Sequence, residues 1–170
     1  MNKYKNNRTK TLVLAAILIS LQVVLTRIIA IEFTQYFRLG GAFFALSLNG
    51  ALLGPVTAGL SSMVADIIGY LLKPTGPYFP GFTITAGISG LLYGIFLYKK
   101  ELTWKNIAKA TGAVTLNNYF INSIWLTILF GIPYFTQLKV RLLGEIAVFI
   151  VKTIILTIVL PKIMEALKKM

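Results

Sequence analysis

Histidine and cysteine are both absent from the 170 residues, and the acids number only five: Glu32, Asp66, Glu101, Glu145 and Glu165. Without thiols there is no disulfide framework and no thiolate metal site. Without imidazoles, and with the carboxylates scattered singly, neither a zinc centre nor a nucleophile with its base can be assembled from the usual parts. No catalytic residue and no metal ligand is therefore expected, and the chain does not read as an enzyme. Also missing are a sequence repeat, a low-complexity linker and any shift in composition, so residues 1–170 are expected to form a single domain.

What the chain has instead is hydrocarbon. Hydrophobic residues make up 56% and charged ones 13%, with a mean hydropathy of +0.77, and the apolar content runs along the whole length. Runs approaching or exceeding about 18 apolar residues read as membrane spans, because about 20 residues of helix cross a bilayer core. Six are expected: Thr11 to Ile31, Ala42 to Leu53 (short unless it continues outward), Val56 to Leu72, Phe82 to Tyr98, Lys109 to Gly131 and Leu142 to Leu160. The fold class is thus an all-α membrane protein, a single bundle of six transmembrane helices.

The net charge of +12 does not form the isolated patch that nucleic acid would need. Cations punctuate the ends of the apolar runs instead. The basic arm over residues 1–10 (Lys3, Lys5, Arg8, Lys10), the connection with Lys99, Lys100, Lys105 and Lys109, and the end with Lys162, Lys168 and Lys169 share one side. Arg27, Arg38, Lys73, Lys139 and Arg141 fall at or near the other. The positive-inside bias places both termini in the cytoplasm. The first run is longer than a secretory signal core and no small-residue cleavage site follows, so it is expected to stay as a helix.

Four charges lie inside the spans, where each is costly: Arg27, Asp66, Glu145 and Lys152. Arg27 is near a helix end and can snorkel. Asp66 and Lys152 are deeper and read most simply as each other's salt-bridge partner. Glu145 and Lys152 share a helix face two turns apart, too far to pair directly. In the fifth run Asn118, Asn122 and Trp125 recur at i, i+4 and i+7 on one side of a helix. Amides beside an indole suit a planar heterocycle, although amides alone also serve as interhelical glue.

Between the third and fourth runs Lys73–Gly81 holds three prolines and two glycines in nine residues, which forbids a continuous helix. Irregular backbone near membrane depth survives only when buried by protein or lining a wet cavity. Tyr78, Phe79, Phe82 and Thr83 are therefore expected to form a lid over a binding site, or else to anchor a turn at the interface. Gly54 and Gly59 have the spacing of a phosphate loop, but Leu60 stands where its lysine is needed, so no ATP loop of that kind is present. Ala16 and Ser20 make a small-residue notch in the first run that can seat another helix, from this chain or from a partner.

Taken together, six short spans, the basic arm, the notch, "ADIIGYLLKPTGPYFPGFTITAGISGLLYG" from Ala65 to Gly94 and "NSIWL" in the fifth run resemble the S components of energy-coupling factor (ECF) transporters. Within that family "PTGPYFPGFTITA" and "KVRLLGE" look most like the folate-specific branch. The resemblance implies a multi-pass protein of a prokaryotic plasma membrane that captures folate outside. It also implies docking onto a transmembrane coupling protein and two cytoplasmic ATPases, with Ala16 and Ser20 as the partner contact. ATP would be used by those partners, and no cofactor is expected in this chain. Arg27, Arg38, Lys73 and Arg141 could draw in and hold the carboxylates of a glutamate tail. Tyr78, Phe82, Thr83, Asn118, Asn122 and Trp125 offer stacking and hydrogen bonds to a pterin. The rival readings are the same scaffold carrying another planar vitamin or precursor (a pyrimidine, riboflavin or pyridoxine), and a structural membrane subunit that binds no solute.

Overall fold

The computed structural model describes residues 8–27, 31–34, 37–39, 41–74 and 76–169. Its elements in chain order are α1 (Arg8–Arg27), β1 (Ile31–Thr34), β2 (Phe37–Leu39), α2 (Ala42–Leu53), α3 (Pro55–Leu72), α4 (Pro80–Leu97), α5 (Trp104–Phe130) and α6 (Tyr134–Lys169). Most of the basic arm, with Lys3 and Lys5, lies outside the described residues.

Prolines open α3 and α4, where the missing N–H costs nothing and the fixed φ suits a first turn. Gly131 closes α5 in the left-handed region at φ 70 and returns its N–H to the Thr127 carbonyl. Five helices are long and apolar enough to cross a membrane, α2 being the exception. With 12 residues α2 spans about 18 Å against a hydrocarbon core of about 30 Å. The chain before it forms an antiparallel hairpin with Ile31 opposite Leu39, Glu32 opposite Arg38 and Thr34 opposite Phe37. The membrane-length elements are helical as expected, and the hairpin is an addition to the all-α expectation.

The helices are packed inside out relative to a soluble bundle. Large side chains such as Leu12, Leu60, Leu71, Leu143 and Ile128 point outward, while α4 buries Gly81, Thr83, Thr85, Gly87, Ser89 and Gly90. Lipid solvates apolar side chains as well as a core would, so association is driven by close backbone approach and interhelical hydrogen bonds. Gly90 lies against the Ala58 carbonyl and Ser62, and Gly94 against Pro55. A Cβ at either position would run into the backbone of α3.

Because successive helices alternate in direction, the bundle has two ends. One carries both termini, the α2–α3 turn and the α4–α5 turn; its interior is an apolar cluster of Leu18, Leu48, Leu52, Tyr93, Leu97, Ile107, Leu156 and Leu160. The other carries the hairpin, the α3–α4 loop and the α5–α6 turn. Its interior is polar.

Candidate functional site

The α3–α4 loop is tied down at three points. The Tyr70 hydroxyl donates to the Gly76 carbonyl (3.0 Å), and the Tyr70 and Tyr78 rings meet with centroids 5.0 Å apart. Thr83, buried one turn into α4, donates its only hydroxyl proton to Asp66 Oδ2 on α3 (2.7 Å). The 3.2 Å contact between the Tyr78 and Thr83 hydroxyls therefore runs with Tyr78 as donor. Tyr78, Thr83 and Asp66 thus form one directed chain ending on a carboxylate.

Beside it α4 and α5 build a wall. Trp125 donates its indole N–H to Thr85 Oγ1 (2.9 Å), and Thr85 passes its own proton to the Gly81 carbonyl (3.0 Å). Phe79 closes on the same indole, with centroids 5.5 Å apart, and on Phe82 at 6.1 Å. This approach exists because residue 81 is glycine: a Cβ there would sit 2.5 Å from the Phe79 ring and 2.6 Å from the Trp125 ring. One turn deeper, Ser89 donates to Asn118 Oδ1 (3.2 Å) and accepts from Asn117 Nδ2 (3.0 Å), which also reaches the Thr85 carbonyl at 3.3 Å. Asn122 Oδ1 is buried with no hydrogen-bond partner. An orphaned buried acceptor on this stripe is what a ligand donor would satisfy.

The expected stripe of Asn118, Asn122 and Trp125 is therefore joined by Thr85, Ser89 and Asn117. Asn117 sits about 100° round the helix from Asn118, and only the position of α4 shows that it faces inward. Thr85 and Ser89 did carry a signal, since they recur at i, i+4 with Gly81 in a polar stripe along α4.

The cations are arranged differently from one another. Arg27, 8% exposed, donates Nη1 to the Lys73 carbonyl (3.1 Å), while Lys73 Nζ donates to the Arg27 carbonyl (3.2 Å). Each charge caps the C-terminal end of the other's helix, where the dipole favours it, and Gly69 leaves room for the Arg27 side chain. Arg141 is buried between Ser123 Oγ (2.9 Å) and Glu145 Oε1 (2.6 Å). Its charge is thereby matched inside the protein. Arg38 falls in β2, and its side chain lies outside what is described. Asp66 and Lys152 do not pair, contrary to the expectation: Asp66 bonds Thr83, and Lys152 Nζ lies 5.8 Å over the Phe43 ring.

On α1, Ala16 and Ser20 are exposed, on the side away from the buried Ala15, Leu18 and Gln22. Ser20 returns its hydroxyl to the Ala16 carbonyl (2.9 Å), so the notch presents no unmet donor. Among the described residues no group of three His, Cys, Asp or Glu could hold a metal ion.

An aromatic plate, an amide-lined edge and a tethered loop can hold a flat heterocycle. Comparison with known proteins points the same way. The family model for the ECF-type riboflavin transporter, S component, matches residues 6–169. The folate transporter FolT of Clostridium novyi is 33% identical over 150 residues, covering 88% of this chain and 87% of that protein. The folate transporter FolT of Leuconostoc mesenteroides is 36% identical over 124 residues, covering 72% and 66%. A crystal structure of FolT bound with folic acid superimposes with a TM-score of 0.80 at 38% identity, covering 86% of this chain and 89% of that one.

Proposed function

The chain belongs to the S components of ECF-type transporters, and from that premise we propose that it is a folate-binding subunit of a vitamin importer. It captures folate and delivers it by reorienting on an ATP-driven module. The observation that carries the ligand is the likeness, at 38% identity over most of both chains, to FolT bound with folic acid. The α4–α5 wall suits it chemically. Trp125 has its N–H committed to Thr85 and offers a ring face, while Asn118, Asn122 and Asn117 line the edge, so a pterin can stack and be read in one place. Tyr78, Phe82 and Thr83 close over it.

The polar end of the bundle faces outward and the termini face the cytoplasm, a reading supported by the excess of cations at the terminal end. All six helices belong to the membrane-embedded body, the short α2 completing its span with the chain before it, in a prokaryotic plasma membrane. The exposed Ala16 and Ser20 meet a transmembrane coupling protein, whose two ATPase partners supply the energy; the chain itself hydrolyses no ATP and holds no cofactor. Outer cations receive the tail carboxylates: Arg27, Arg38 and Lys73 first, since Arg141 is already matched by Glu145.

Riboflavin is the second reading, favoured by the name of the matching family model. Calorimetric titration of the purified, ligand-free chain with folate, riboflavin, thiamine and pyridoxine separates the two. One-to-one binding of folate alone is expected; heat from riboflavin with silence from folate would replace the ligand and keep the scaffold, and silence from all four in folded protein would reject capture of these solutes.

A further inference from the structure

Lys152 is the charge that neither the packing nor the proposed function has absorbed. It stands midway along α6, whose 36 residues make it the longest helix, and it is half-buried. Its ammonium lies over the Phe43 ring at 5.8 Å, and no described acceptor takes a hydrogen bond from it. The acid on the same helix face, Glu145, lies about 10 Å away by helical rise and is already bonded to Arg141 at 2.6 Å. An ammonium near mid-membrane, with an aromatic face beside it and, two turns away, a carboxylate already bonded to Arg141, is costly, and such residues are found where a pathway or ligand needs them.

Its surroundings define a floor. Phe43 is the second residue of α2, so α2 begins level with the middle of α6 and fills only the terminal half of that layer. Both α2 and β2 pack against α6. Phe43 also packs against the apolar cluster of the terminal half, so Phe43 and Lys152 stand at the border between that cluster and the loop half of the interior.

We propose that Lys152 is a ligand-recognition residue, whose ammonium donates hydrogen bonds to the carbonyl oxygen and ring nitrogens of an uncharged fused heterocycle lying ring-end inward. This rests on the folate reading above. The opposite orientation would bring a tail with two carboxylates to a floor with one cation, leaving a buried anion unmatched. Arg27 and Lys73 stand near the loop end, where two carboxylates can also keep water.

The test uses ligand-free wild type and Lys152→Met, titrated with folate and with pteroate, which keeps the pterin and drops the glutamate. Thermal unfolding of both proteins is followed without ligand. Both affinities should fall together by about 10- to 100-fold, the range of a lost charge-assisted hydrogen bond. The unfolding midpoint should stay or rise, because an unpaired charge has been removed. Loss for folate with pteroate unchanged would assign Lys152 to the tail and overturn the proposal, as would unchanged affinity for both. A fall in affinity accompanied by a lower midpoint would make Lys152 a packing residue resting on Phe43. Wild type that binds neither pterin ligand overturns the functional reading and this one with it, and is scored before any variant.

Discussion

The two ends of this bundle solve the same problem in opposite ways. At the terminal end helices are held by steric fit: Gly90 and Gly94 of α4 let the α3 backbone in, and Leu97, Ile107, Leu156 and Leu160 fill what is left. At the loop end Trp125 meets Thr85, Asn117 meets Ser89, Thr83 meets Asp66 and Arg141 meets Glu145. At the terminal end the buried hydroxyls of Ser62 and Thr111 are spent on the backbone of their own helices, and Asn49 stands as an isolated polar side chain, so no connected network among the described residues is open to a solute. A network of hydrogen bonds leaves some atoms over, such as Asn122 Oδ1, and can trade partners when a ligand arrives. The same α4 serves both ends, so rigidity in its second half is what allows its first half to be a site.

The sharpest way to break this contrast is to overfill the dry end. Gly94→Val would drive a branched side chain into the Pro55 backbone, which cannot give way as a flexible side chain can. Overpacking of well-packed interiors typically costs about 1–3 kcal/mol, and more where backbone must move. The expected result is a fall of many degrees in the unfolding midpoint and poor recovery from the membrane, with the folded fraction still binding ligand at wild-type affinity. A weaker ligand affinity in that fraction would mean that the two ends are not separable.

A middle-sized effect is expected at the wall. If the ligand stacks on Trp125 as proposed, Trp125→Ala should weaken binding by about 30-fold or more, the loss of an aromatic anchor being worth about 2 kcal/mol. Trp125→Phe keeps a ring face and loses only the N–H, which is already spent on Thr85. It should cost less than about tenfold, since a neutral hydrogen bond is worth about 1 kcal/mol net. Equal losses for the two variants in the same titration would mean that the indole N–H, not its face, reads the ligand.

How far the sequence could carry this picture follows the same division. The apolar runs announce the helices, because hydrocarbon thickness imposes length and composition; the helices extend past the runs, as α6 does from Tyr134 to Lys169 around Leu142–Leu160, where water and headgroups permit polar turns. The hairpin was hidden because Ile31 continues the apolar character of the first run and its strands have four and three residues, too few to show alternation against that background. The amide stripe was legible from helical spacing alone. Its partners were not, since Asn117 lies off the stripe and only the placement of α4 reveals it. The pairing of Arg141 with Glu145 was written in the i, i+4 spacing. The supposed bridge from Asp66 to Lys152 failed because α3 and α6 do not touch among the described residues: α3 packs against α1, α2 and α4, and α6 against α5, α2 and β2, so Lys152 rests on Phe43 and the Asp66 carboxylate takes Thr83.

The smallest expected effect tests the direction of that last contact. If Thr83 donates to Asp66 and receives from Tyr78, then Thr83→Val leaves the carboxylate and the tyrosine hydroxyl without their partners at once. A half-buried acceptor stripped of its donor costs about 1–3 kcal/mol, here toward the low end because Tyr78 is 43% exposed and can turn to water. Asp66→Asn should cost less than Thr83→Val, because the amide oxygen can still accept the same proton from Thr83. The two variants should rank in that order both in thermal midpoint and in the rate at which bound ligand escapes, since the chain tethers the loop that covers the wall. If Asp66→Asn were the more damaging, the carboxylate charge itself would be in use. The Tyr78–Thr83–Asp66 chain would then belong to ligand reading rather than to loop closure.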